Sequence, residues 1–175
     1  MSEGKRRIDR IRDPGYAEGL DSLTLEQVRE RRDECLAERE YLSYLRRLVQ
    51  GRAEILEAAL RQRGSDGETS LVEQLDSILA GEGSRSASSR GEAVRVGLPE
   101  EDMLFARRRV ERLVTDAAIS DPTGLDDAQL AEAVDGLARE EQEVSAARGA
   151  VIQVLDKIQD ELKRRYKADP TQALR

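Results

Sequence analysis

The sequence predicts an all-α protein: a long antiparallel two-helix coiled coil made by internal duplication, with two shorter helices in the connection. Three observations carry that prediction. Charged residues are 37% of the 175 positions and aromatic residues only 3%, with one Phe, four Tyr and no Trp; such a chain lacks the bulk for a thick core and suits narrow, charge-coated helices. Two segments of about forty residues each carry a heptad-like apolar stripe. The two segments also align with each other at an offset of 102 residues.

Residues 1–22 are polar, contain Pro14 and Gly15 and show no periodicity, so they read as a flexible arm. The first long helix, 23–64, opens with Thr24 as N-cap, Gln27 completing a capping box, and Leu23 with Val28 as a hydrophobic staple. Val28, Cys35, Leu42, Leu45, Val49, Leu56 and Leu60 then form the stripe, and Gly64 closes it. At 1.5 Å per residue this is a rod of about 60 Å. The second long helix, 125–167, repeats the design: Asp126 caps, Gln129 completes the box, and Leu125 staples to Leu130. Its stripe is Leu137, Val144, Ala147, Val151, Leu155, Ile158 and Leu162, with Lys163, Arg164 and Arg165 complementing the C-terminal dipole before the 168–175 tail. About nine of some forty aligned positions are identical, among them Glu30/Glu132, Asp33/Asp135, Ser43/Ser145, Arg46/Arg148 and Leu60/Leu162. Neither stripe can be buried alone, so the two helices are expected to pair, and an antiparallel pairing relates the duplicated faces by a twofold axis.

The connection, 65–124, holds a predicted short helix over about 70–80, opened by the Ser70–Glu73 capping box, then a Ser/Gly/Arg-rich stretch, 81–97, expected to be disordered. A second short helix is expected over 99–118, started by Pro99, with Met103, Ala106, Val110, Leu113 and Val114 apolar. Arg107, Arg108 and Arg109 are balanced by Glu100, Glu101, Asp102 and Glu111 and read as a salt-laced solvated face. The aspartates at 116, 121, 126 and 127 read as turn and cap residues.

Composition removes several classes of function. There is no His, so histidine acid–base catalysis and histidine metal ligation are excluded. One cysteine permits neither an internal disulfide nor a cysteine metal cluster, and Cys35, on the stripe, is expected to be a buried structural thiol. A net charge of −7 argues against direct DNA or RNA binding. The N-terminal stretch has no apolar signal region, and no run is long enough to cross a membrane, so a cytoplasmic protein is expected.

The most specific signal is a polar ladder present twice: Arg39, Ser43, Arg46, Gln50 and Glu54, then Glu141, Ser145, Arg148, Ile152 and Asp156. Steps of four, three, four and four residues keep each set on one narrow helical face, flanking the apolar seam. A solvated coiled-coil flank also accommodates such residues. Serine, however, is a mediocre helix former, and it recurs here mid-helix in both copies. Arginine forks onto guanine O6 and N7, stacks on bases and neutralises phosphate, while a carboxylate accepts from the guanine donor edge.

The ladder resembles the E-xxx-S-xx-R-xxx-Q-xxx-D repeat of RsiG anti-sigma factors, actinobacterial proteins that hold the sporulation sigma factor WhiG of Streptomyces inactive. The resemblance implies an antiparallel coiled coil with one repeat per helix, binding a dimer of cyclic di-GMP, the loaded form capturing the sigma factor. It places Ser43, Arg46, Gln50 and Glu54 (for Asp) in the first ligand-binding repeat, and Glu141, Ser145, Arg148 and Asp156 in the second. Arg39 replaces the opening Glu and is a further candidate contact; Ile152 replaces the Gln and is left out of the set. No catalytic residue and no metal are implied. Two other readings stay open: a coiled-coil adaptor with no ligand, and an enzyme acting on nucleotides, which lacks His, a metal cluster and a glycine-rich phosphate loop.

Overall fold

The structure is a computed structural model that describes residues 6–64, 97–114 and 124–171. Among these residues there are four α-helices and no strand: α1, Arg7–Ile11; α2, Leu25–Gly64; α3, Glu100–Leu113; and α4, Asp127–Ala168. The all-α prediction is borne out. The expected helix at 70–80 and the linker at 81–97, save Gly97, lie outside the described residues, as do Asp116 and Asp121.

Both long helices start as their caps dictate. Gln27 N donates to Thr24 Oγ1 at 3.2 Å and Thr24 N to Gln27 Oε1 at 2.9 Å. The Asp126/Gln129 box repeats this at 2.8 and 3.0 Å. Each box satisfies two N–H groups that a helix start otherwise leaves orphaned. Stripe residues are buried throughout, with only Leu60 and Ala147 at intermediate exposure. Burying each Leu, Val or Ile stabilises by about 1.5–3 kcal/mol, which is what holds such narrow helices together.

The chain divides into two compact units, 1–43 with 144–175, and 44–143. In the first, Arg29 Nε donates to Tyr166 Oη at 3.1 Å and Arg148 Nε to Ser43 Oγ at 3.0 Å, so α2 and α4 run antiparallel there. In the second, Arg46 pairs with Glu141 at 2.6 Å and Arg63 with Asp127 at 3.0 Å, again antiparallel.

The flexible arm expected over residues 1–22 is corrected from Arg6 onward. Helix α1 and two 3-10 turns, Pro14–Ala17 and Leu20–Ser22, bury Ile11 and Leu20. Polar contacts hold this stretch in place. Arg7 Nε reaches Glu38 at 2.6 Å, Arg10 Nε reaches Glu34 at 3.0 Å, and Tyr16 Oη donates to Glu34 at 2.7 Å. Arg165 donates to the carbonyls of Leu20 at 2.6 Å and Leu23 at 2.9 Å. It therefore anchors the N-terminal turns in addition to complementing its own helix end. Gly19 sits at φ +60°, a left-handed conformation that glycine adopts without steric cost. Periodicity could not reveal this stretch, because its elements are a turn or so long and are held by partners distant in sequence.

Helix α3 begins where Pro99 predicts but ends at Leu113 rather than 118. Val114 is buried in an extended conformation, φ −128° and ψ 117°. Its β-branched side chain gains burial there and forgoes little helical preference.

Candidate functional site

The ladder residues occupy the flank of the seam, as expected: all except exposed Asp156 are half-buried. The second unit brings three of them together. Glu141 Oε1 accepts from Arg46 Nε at 2.6 Å and from Gln50 Nε2 at 3.3 Å, so side chains of both ladder copies converge on one carboxylate. Glu54 is half-buried on α2 in the same unit and has no hydrogen bond to another ladder residue among the described ones.

The first unit groups the others differently. Ser43 Oγ donates to the Arg39 carbonyl at 2.7 Å and accepts from Arg148 Nε at 3.0 Å. Bonding back to the preceding turn is how a mid-helix serine avoids an unsatisfied hydroxyl, and here it leaves the oxygen lone pair aimed at Arg148. The Arg39 guanidinium lies against Glu40 at 2.9 Å. By the duplication, position 39 corresponds to Glu141. The carboxylate that engages Arg46 thus has no counterpart for Arg148, which takes a hydroxyl instead. Ser145 and Ile152 are half-buried in this unit.

Sequence reasoning missed two residues on the seam itself. Glu38 and Glu140 are the buried charged side chains among the described residues, and they correspond under the 102-residue offset. Glu38 takes Arg7 of α1 at 2.6 Å; Glu140 takes Arg109 of α3 at 2.5 Å. Both pairs span 31 residues. The duplication therefore extends to the short helices: Arg6-Arg7-Ile8-Asp9-Arg10-Ile11 corresponds to Arg108-Arg109-Val110-Glu111-Arg112-Leu113. That match, and an acidic residue at the same seam position in both copies, were the available signals. The solvated face expected for Arg107, Arg108 and Arg109 is accordingly corrected at Arg109, whose guanidinium closes on a buried carboxylate. No buried side-chain polar atom among the described residues lacks a partner.

The electrostatics of the first unit are uneven. Burial alone would raise the Glu34 carboxyl, but hydrogen bonds from Arg10 and Tyr16 outweigh it and hold the group below its usual range. Glu161, hydrogen-bonded by Arg164 and Arg165, is held down at about 2. Burial pushes the Cys35 thiol up to about 11 and the Tyr16 phenol still higher, so both stay protonated at neutral pH. A protonated, fully buried Cys35 fits a structural thiol.

Fold and site together define an all-α protein of paired long helices, with polar residues of a repeated motif meeting across each pair. Residues 14–79, less than half of the chain, match the protein-family model described as RsiG-like, so this stretch is similar to RsiG-type anti-sigma factors. The matched stretch holds the first ladder; the second lies outside it. No curated protein matches the sequence. No helix among the described residues is long and apolar enough to cross a membrane, and none of their acidic or cysteine side chains cluster as metal ligands.

Proposed function

We propose that this chain is a cytoplasmic anti-sigma factor that binds two molecules of cyclic di-GMP through its ladders and in that form sequesters a sporulation sigma factor of the WhiG type. One observation carries the reading: residues of the two ladder copies meet across the helix pair, Arg46 and Gln50 with Glu141, and Ser43 with Arg148. The donor set suits the ligand. Arg46 and Arg148 offer planar, charged forks for guanine and phosphodiester oxygens, Gln50, Ser43 and Ser145 neutral hydrogen bonds, and Glu54, Glu141 and Asp156 acceptors for guanine N–H groups; Arg39 adds positive charge. Nucleotide binding that favours the sigma-competent form obliges sigma binding to tighten nucleotide binding by the same factor.

The test is calorimetric titration of cyclic di-GMP into the wild type and Arg46→Ala/Arg148→Ala, with and without a WhiG-type sigma factor. Each charge-assisted hydrogen bond lost costs about 1.5–3 kcal/mol, less for Arg46, which must first leave Glu141, so the double variant should bind at least about 30-fold more weakly. A stoichiometry of two per chain in the wild type is expected; equal binding by the variant sinks the site. The Arg46–Glu141 pair also suits a ligand-independent coiled-coil adaptor. That reading predicts no heat on adding nucleotide and unchanged partner capture by Arg46→Ala.

A further inference from the structure

The two short helices are copies of one element, yet their surroundings differ. In the first unit, Arg10 of α1 is held by Glu34, and Ile11 is fully buried. The corresponding residues of α3 are Arg112 and Leu113. The position corresponding to Glu34 is Gly136, and a Cβ placed there would meet nothing within 4 Å. Arg112 bonds instead to the backbone carbonyl of Arg108 at 3.2 Å, and Leu113 is 38% exposed. Leu104 and Phe105 are also exposed, so every exposed large apolar side chain among the described residues lies on α3, the sole Phe of the chain included. Phe105, Arg108 and Arg112 recur at i, i+3 and i+7, and Leu104 lies four residues before Arg108; they share one helical face. The acidic residues of α3 are confined to its first turn and Glu111.

We propose that this face of α3 docks an acidic, apolar-faced segment of the captured protein, a carboxylate closing on Arg112 and successive apolar side chains covering Phe105 and Leu113. The first unit supplies the template: there Arg10 takes the Glu34 carboxylate from within the chain and Ile11 is buried. In the second unit glycine has removed the internal carboxylate and left open space beside it. Exposed aromatic and arginine side chains on one face are the residue types that dominate binding energy in protein interfaces. The inference rests on the sigma-capture reading above and names the surface that serves it.

Gly136→Glu tests it without removing any contact. The new carboxylate has room, favours helix over glycine, and is placed to hold Arg112 as Glu34 holds Arg10. With cyclic di-GMP saturating, a WhiG-type sigma factor should bind Gly136→Glu at least about 10-fold more weakly than wild type, and Arg112→Glu and Phe105→Ala likewise. Titration of cyclic di-GMP alone should be the same in all four proteins, and amides of 100–113 should gain hydrogen-exchange protection on sigma binding. Wild-type affinity in all three variants overturns the surface while leaving the function intact. A wild type that captures no sigma factor overturns the function and the surface with it. Loss of self-association in Phe105→Ala by sedimentation, or unchanged protection of 100–113 in the complex, assigns the face to a second copy or to the chain's own residues and overturns the proposal.

Discussion

The two units use the same device and then part company. Each seats an arginine of a short helix on a glutamate buried in the seam of the long helix that follows, Arg7 on Glu38 and Arg109 on Glu140. Around that shared clamp the first unit is closed: Glu34 binds Arg10 and Tyr16, Ile11 is buried, and Arg165 ties down the carbonyls of the N-terminal turns. The second leaves α3 with exposed apolar side chains. The ladders diverge in the opposite sense, since Arg46 has a carboxylate and Arg148 only a hydroxyl. Duplication kept the element that sets register and freed the residues beside it to specialise.

Breaking the clamps gives the largest effect. Removing one partner of a buried ion pair strands the other, at a cost of about 3–5 kcal/mol when both are fully buried. Arg7 is 25% and Arg109 36% exposed, so both costs are smaller than that and the second is smaller than the first. Glu38→Ala should cost about 2–3 kcal/mol and lower the melting midpoint by roughly 4–12 °C, and Glu140→Ala about 1–2 kcal/mol. Thermal melts followed by circular dichroism check this; a larger loss at Glu140 reverses the ranking of the units.

Single arginine variants come next. On the proposed reading, Arg46 must leave Glu141 before it can hold a nucleotide, whereas Arg148 gives up only a serine hydroxyl. Replacing Arg148 by Ala should weaken cyclic di-GMP binding by about 10–30-fold, and Arg46→Ala by less, about 3–10-fold, because the competing pair disappears with it. Equal losses would show that the Glu141 contact does not compete. Arg39→Glu would give Arg148 the carboxylate that Arg46 has. A gain of about 0.5 kcal/mol in unfolding free energy and a few-fold loss of nucleotide affinity are expected, read by denaturant melts and calorimetry.

The smallest effect near neutrality is acid sensitivity. Glu161 and Glu34 titrate below their unfolded values, so their stabilisation is complete above the ordinary carboxylate range and is lost as pH falls through it, from about 4.5 toward 2 for Glu161. Protection factors of amides in the first unit, taken relative to the intrinsic exchange rate at each pH, should therefore fall across that window, and less so in Glu161→Gln.

The long helices were legible because their signals are local and repeated: two capping boxes, two stripes, two ladders. The ladder residues sit on the flank as their spacing required. The N-terminal turns were not legible, since Tyr16, Arg10 and Arg165 find their partners far along the chain. Glu38 and Glu140 were overlooked for a related reason: a charged residue on an apolar stripe reads as a gap until its arginine, 31 residues upstream, is known.

Those two glutamates also bear on which other helices the chain can accept. A heptad seam of leucine and valine alone would pair with many amphipathic helices in a cell. A carboxylate set into it makes any partner that lacks a well-placed arginine bury an uncompensated charge, a penalty that rejects strangers more than it rewards the native match. The clamp insulates a chain whose long apolar stripes would otherwise be promiscuous.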